Sequence, residues 1–200
     1  MTIYTVIGLM IGTSLDGIDV ALVETDGERH LKANGFLTVP YTDELRQKIR
    51  VCFNKAPDTD AEHALTIAHA DAVKKLLQEK NISPDKIDLI GFHGQTIAHA
   101  PDRGYTCQLG DGALLSRLTG IKVVNDFRTA DVKAGGQGAP LVPVYHQALA
   151  AKLEKPVVFL NIGGVANVTY IDDTHLIAFD TGPGNALIDD WMLERTGKKY

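Results

Sequence analysis

Three short stretches of this chain combine small residues with hydroxyls and acids in a way that suits anion chemistry. Asp180-Thr181-Gly182-Pro183-Gly184-Asn185 sets an acid at the end of an apolar run, followed by a glycine-rich turn. Gly12-Thr13-Ser14-Leu15-Asp16-Gly17 and Asn161-Ile162-Gly163-Gly164-Val165-Ala166-Asn167 also follow apolar runs. Glycine lets backbone N–H groups approach an anion closely, and hydroxyls add donors. The pattern suggests a phosphate-handling cleft with a carboxylate, Asp180, at its mouth. Within Gly12–Gly17, the main-chain N–H groups and the Thr13 and Ser14 hydroxyls are placed to cradle phosphate. Asp16 is then a candidate to hold Mg²⁺, directly or through water, because a bare acid in such a loop would repel its ligand. Plain hairpin turns are the alternative reading for Gly12–Gly17 and for Gly163, Gly164 and Asn167. Asp19 reads equally as an exposed strand residue, and Asp180 as the cap of a following helix.

A second group stands apart. His93, Gln95 and Thr96 lie where an apolar strand runs out into a loop, the end at which open α/β sheets bind ligands. His93 could instead satisfy a loop carbonyl. Arg128 could pair with Asp126 or Asp131, and Gly135–Gly138 reads as a lid, a hinge or a turn-rich connection. His63 and His69 are six apart on a helix and point to different faces, and no Cys/His set has zinc spacing. Trp191 reads as core.

The elements that must position these groups follow from apolar periodicity. Tyr4–Met10, Ile18–Thr25 and His30–Val39 read as a three-strand meander whose first hairpin is the Gly12–Gly17 turn. Thr42 or Asp43 caps a helix to about Phe53, and Asp60 caps a long one to Lys80 with Ala64, Ile67, Ala68, Ala72, Leu76 and Leu77 on its apolar face. Ile87–His93 reads as a buried strand, Asp111–Thr119 as a capped helix ended by Gly120, Ile121–Val124 as a strand and Pro143–Leu153 as a helix. At Pro156 the order begins again, with strands Val157–Ile162, Val165–Ile171 and Leu176–Phe179 and a helix from about Gly184. A meander followed by alternating strands and helices predicts an α/β fold: a ribonuclease-H-like mixed sheet with helices on both faces over 1–155, then the start of a second, similar domain over 156–200. The second unit holds only a meander and one helix, which leads us to expect a piece of a longer protein.

The 200 residues are 44% hydrophobic and 22% charged, an ordinary globular balance. A net charge of −5 argues against a nucleic-acid partner. Two cysteines, Cys52 and Cys107, read as reduced thiols, and no apolar run approaches the ~20 residues of a membrane span. A cytoplasmic setting fits these features.

The chain resembles the anhydro-N-acetylmuramic acid kinase family of the sugar-kinase, heat-shock-protein and actin-like ATPase superfamily. The resemblance rests on Gly8–Gly17, Gly91-Phe92-His93-Gly94-Gln95-Thr96, Gln108-Leu109-Gly110-Asp111, Asn125-Asp126-Phe127-Arg128, Gly135–Leu141, Asn161–Asn167 and Asp180–Asn185, in that order. Ile11 stands where the family usually has serine. The resemblance implies an ATP- and Mg²⁺-dependent cytoplasmic enzyme of peptidoglycan recycling, a homodimer at full length. It makes Asp180 the base that activates water to open a 1,6-anhydro sugar as O6 takes the γ-phosphoryl group. It places Gly12, Thr13, Ser14, Leu15, Asp16, Gly17, Ile18, Asp19, Gly163, Gly164 and Asn167 at the phosphates. His93, Gln95, Thr96 and Arg128 fall at the sugar, with Arg128 suited to a lactyl carboxylate. An ordinary sugar kinase or ATP hydrolase of the same fold, and a catalytically silent half that binds sugar or a partner, remain the rival readings.

Overall fold

The computed structural model describes residues 2–12 and 15–198. β1 (Tyr4–Ile11), β2 (Gly17–Thr25) and β3 (Leu31–Pro40) form an antiparallel meander, with Ile11 opposite Ile18 and Tyr4 opposite Thr25. After helices α1 (Asp43–Arg50) and α2 (Thr59–Lys80), strand β4 (Leu89–Phe92) pairs parallel to β1. A two-stranded hairpin of β5 (Gln95–Ala100) and β6 (Tyr105–Leu109) follows, then α3 (Gly112–Thr119), β7 (Val123–Asn125) and α4 (Thr129–Lys133). β7 pairs parallel to β4, so the main sheet runs β3-β2-β1-β4-β7. This mixed order is the ribonuclease-H-like arrangement expected from the sequence.

Alternation explains which side of the sheet is covered. Ile7, Leu9 and Ile11 of β1 and Ile18, Val20 and Leu22 of β2 point into one core with Leu45 and Ile49 of α1, Leu65, Val73 and Leu76 of α2 and Leu115 of α3. The intervening residues face the other way, where Met10 and Val124 are each 49% exposed and the Phe127 ring lies over Gly91. Asp58, not Asp60, caps α2, its carboxylate accepting the Ala61 N–H at 2.8 Å. Asp58 is extended and thus able to cap, whereas Asp60 already lies in the first turn, where it favours the helix dipole. The helix face is also shifted: Leu65, Ala72 and Leu76 are buried while Ile67 is 37% exposed.

One buried polar group is costly. His69 on α2 is fully buried, shares a hydrogen bond with the Leu65 carbonyl at 2.7 Å and packs on the Phe92 ring at 4.9 Å. Burial pulls its pKa from 6.5 down to about 4. The unfolded chain therefore binds more protons than the folded one between these values. Titration of His69 is expected to add no further cost above pH 6.5 and to remove stability progressively as pH falls to 4, by about 3 kcal/mol in all. Urea melts between pH 7 and 4 check this: His69→Leu should flatten the slope relative to wild type, and an unchanged slope would show that His69 does not titrate in this window.

By internal packing the chain forms two compact units, Met1–Gly138 and Ala139–Tyr200. In the second, β8 (Val157–Ile162), β9 (Val165–Ile171) and β10 (Leu176–Pro183) form another antiparallel meander, ending in α6 (Ala186–Thr196). Helix α5 (Pro143–Leu149), read with the first domain in the sequence, packs on β9 and β10. His146 is the reason: it bonds the Thr169 hydroxyl at 2.8 Å and stacks on Phe159 at 4.6 Å. Trp191 is 56% exposed under the Arg195 guanidinium, so it is not the core residue expected. The second hairpin of each meander is closed by the same device. Asp26 Oδ1 accepts the N–H groups of Glu28, Arg29 and His30, and Asp172 Oδ1 those of Thr174 and His175. These bonds hold both carboxyls below the usual range, Asp26 at about 2. Among the described residues no helix is long and apolar enough to cross a membrane.

Candidate active site

The first meander shapes its turn from behind. Leu15 is 2% exposed with a left-handed backbone, φ 55°, a conformation that non-glycine residues adopt only when held. Three contacts hold it: the Leu15 N–H donates to Gly12 O at 3.3 Å, Arg46 Nε to Leu15 O at 2.9 Å, and the Tyr41 N–H to Asp16 O at 3.1 Å. Asp16 accepts the Gly17 N–H at 3.1 Å, and burial, aided by the Asp16 charge, drives the Tyr41 phenol pKa upward. Thr13 and Ser14, expected as hydroxyl donors, lie outside the described residues. Leu15 and Ile18 have buried side chains, so only their main chain could meet a ligand. Asp19 lies on the sheet face opposite Ile18 and Val20 and accepts the Thr38 hydroxyl at 2.6 Å.

In the second unit four expected residues come together. β10 runs on to Pro183, so Asp180 lies within the strand and not at its end. It stands opposite Asn167, and a bulge follows between Asp180 and Gly182. Past the bulge the Gly184 N–H donates to Gly164 O at 2.9 Å and the Asn185 N–H to Gly163 O at 2.8 Å. The Gly163–Gly164 turn is thus tied directly to the chain that carries Asp180. Asp180 is exposed, and α6 begins from Asn185, so Asp180 does not cap it.

The His93 segment opens on a small cleft of about 50 Å³ lined by Phe92, His93, Gly94, Gln108, Leu109, Gly110, Asn125 and Asp126. Its floor depends on two close approaches. A Cβ on Gly94 would lie 2.3 Å from Leu109 O, and one on Gly110 2.6 Å from the Phe92 ring. α2 clamps the same turn, with Glu62 accepting the Gly110 N–H and Thr66 the Asp111 N–H, each at 3.1 Å. His93 Nδ1 meets Gly94 O at 2.6 Å, and His93 Nε2 accepts Arg128 Nε–H at 2.9 Å. Arg128 also donates to Gly138 O, and Asp131 accepts the Gly138 N–H at 2.6 Å. Arg128 therefore reaches His93 and not Asp126 or Asp131, and Gly138 is fastened. Gln95 is 1% exposed; its amide donates to Thr96 O at 3.2 Å and its Oε1 is buried without a partner. Strand alternation turns Gln95 inward beside Ile97, while Thr96 faces out and accepts Gln108 Nε2 at 3.3 Å. Gln108, Asn125 and Asp126 were not singled out from the sequence as ligand contacts. The β5–β6 hairpin that presents Gln108 has no Asn-Gly-type turn to announce it, and the left-handed Asp126 (φ 57°) is visible only in the backbone. Among the described residues no three acidic, histidine or cysteine side chains form a metal cluster.

A profile of the family described as anhydro-N-acetylmuramic acid kinase matches residues 4–200. Relatives described by that same name include a protein of Rhizorhabdus wittichii, 53% identical over all of this chain and 58% of its own length. One from Paramagnetospirillum magneticum is 57% identical over 96% of this chain and 55% of its own length, and one from Zymomonas mobilis 50% identical over 97% and 57%. The chain thus spans rather more than half the length of the curated relatives it matches. Among solved structures, a reductive activator for corrinoid, iron-sulfur protein is similar at 14% identity and a TM-score of 0.45, covering 91% of this chain and 31% of its own.

Proposed function

Because this chain belongs to the anhydro-N-acetylmuramic acid kinase family, we propose that it carries the water-activating part of an ATP-dependent kinase acting on 1,6-anhydro-N-acetylmuramic acid. The observation that carries this reading is the exposed Asp180 carboxylate, in register with Asn167, on a strand hydrogen-bonded to the Gly163–Gly164 turn. Asp180 takes a proton from water as that water attacks C1 of the sugar. The C1–O6 bond breaks, and O6 takes the γ-phosphoryl group of ATP, giving N-acetylmuramic acid 6-phosphate and ADP. Gly163, Gly164 and Asn167 on one turn and Gly12–Gly17 on the other supply phosphate donors. Thr96 and Gln108 face the sugar's hydroxyls and Arg128 its lactyl carboxylate, with Gln95 behind Thr96.

Asp16 would hold Mg²⁺. The donor set fits, since this cation keeps most of its waters and takes only one or two carboxylates beside phosphate oxygens. When bound it supplies charge neutralisation at the phosphates. The reading carries with it a cytoplasmic site in cell-wall recycling, no nucleic-acid or membrane partner, and a homodimer in the longer protein.

Turnover in ¹⁸O-labelled water tests the reaction. The label should appear at C1 of the phosphorylated sugar. Label in phosphate alone would identify an ATP hydrolase, and none at C1 an ordinary sugar kinase. Titration of ATP against the chain separates the enzyme from a silent sugar-binding half, which the kinase names of the relatives do not favour.

A further inference from the structure

Both ring nitrogens of His93 are committed, and the commitments fix its state. Gly94 O can only accept, so Nδ1 carries the proton. Arg128 Nε–H can only donate, so Nε2 offers a lone pair. The ring is therefore the neutral Nδ1–H tautomer. Burial and the adjacent guanidinium support this by holding its pKa below the ordinary value. His93 lines the cleft, yet neither nitrogen is left to abstract a proton or to contact a ligand.

Arg128 shows the complement. It is half-buried, and its two partners, His93 Nε2 and Gly138 O, are both neutral. Among the described residues no carboxylate pairs with it within 4.0 Å. A guanidinium has five N–H donors in a rigid plane. Two of its edges are fixed by neutral acceptors, which sets the plane and leaves Nη2 and an undiminished charge for an anion. Gly138, one of the anchors, cannot drift: Asp131 holds its N–H, and a Cβ there would lie 2.6 Å from Val132.

The geometry points to His93 as a positioning residue, whose Nε2 aims the Arg128 fork at the carboxylate of a muramic-type sugar. This rests on the reading above that Arg128 receives that carboxylate. It assigns His93 no proton transfer and no ligand contact of its own.

The test compares two sugars on the 200-residue chain by calorimetry: 1,6-anhydro-N-acetylmuramic acid and 1,6-anhydro-N-acetylglucosamine, which lacks the lactyl group. Wild type should prefer the acid by about 10- to 100-fold, the range for a charge-assisted hydrogen-bonded contact. Arg128→Gln should erase the preference. His93→Phe should cut it about tenfold while leaving affinity for the neutral sugar nearly unchanged, and His93→Gln, whose amide oxygen can still accept from Arg128, should keep most of it. An intact preference in Arg128→Gln, or none in wild type, overturns the carboxylate reading itself. A preference erased by Arg128→Gln but untouched by His93→Phe overturns only the role of His93. Should His93→Phe not fold, ¹⁵N imidazole shifts of the wild type at pH 7 still decide: protonated Nδ1 and bare Nε2 are expected, and the reverse tautomer or an imidazolium overturns the assignment.

Discussion

Asparagine in place of Asp180 is expected to bind ATP within about twofold of wild type and to turn over about 10³-fold more slowly, the size of effect when a general base is removed. The substitution keeps shape and removes charge. Asp180 is exposed, so no packing is lost, and the bonds that tie its strand to the Gly163–Gly164 turn are made by the main chain. Nucleotide affinity and kcat, measured on a form competent for turnover, separate the two effects. Activity near that of wild type would remove Asp180 as the base, and a parallel collapse of ATP binding would move it to the phosphates.

Gly184→Ala should be nearly as damaging for a different reason. Its Cβ would lie 2.1 Å from Gly163 O and 3.3 Å from Ala166 N, and both are backbone atoms that cannot rotate away. The turn must open, which breaks the Gly184-to-Gly164 and Asn185-to-Gly163 hydrogen bonds. Two such bonds are worth about 2 kcal/mol together. The larger effect is positional, since a displacement of about 1 Å at a reacting group can cost about 10²-fold in rate. Thermal melts and kcat for Gly184→Ala should both fall. Gly8→Ala is the control, because a Cβ there meets nothing within 4 Å and its melt should hardly move. Equal effects at the two positions would show that the contact at Gly184 carries no special weight.

The fold was legible where local rules and burial agree. Asp111 caps α3 and Gly120 ends it as expected, and β8 and β9 span the expected residues, because a cap, a stop and alternation all sit in adjacent residues. The misses share a cause. Whether Asp58 or Asp60 caps α2, and which way Ile67 faces, depends on how the helix rolls onto β2 and β3, which no local pattern records. The β5–β6 hairpin turns through Pro101-Asp102-Arg103-Gly104, a pattern that marks a turn but not which strands it joins, and its first strand alternates too weakly to stand out. The pairing of His93 with Arg128 joins residues 35 apart in sequence, and both had nearer partners available on paper. Gln95 was named for its neighbours in the motif, but strand parity turned it inward.

The aspartates that seal the β2–β3 and β9–β10 turns reach past the turns themselves. Two meanders of one topology are closed at the same corner by the same kind of side chain. Because several backbone N–H groups favour the ionised form in each case, both carboxyls keep their charge well into the acid range. Each corner should therefore stay shut until its acid is protonated, so the third strand of each meander is pinned against acid at its point of return.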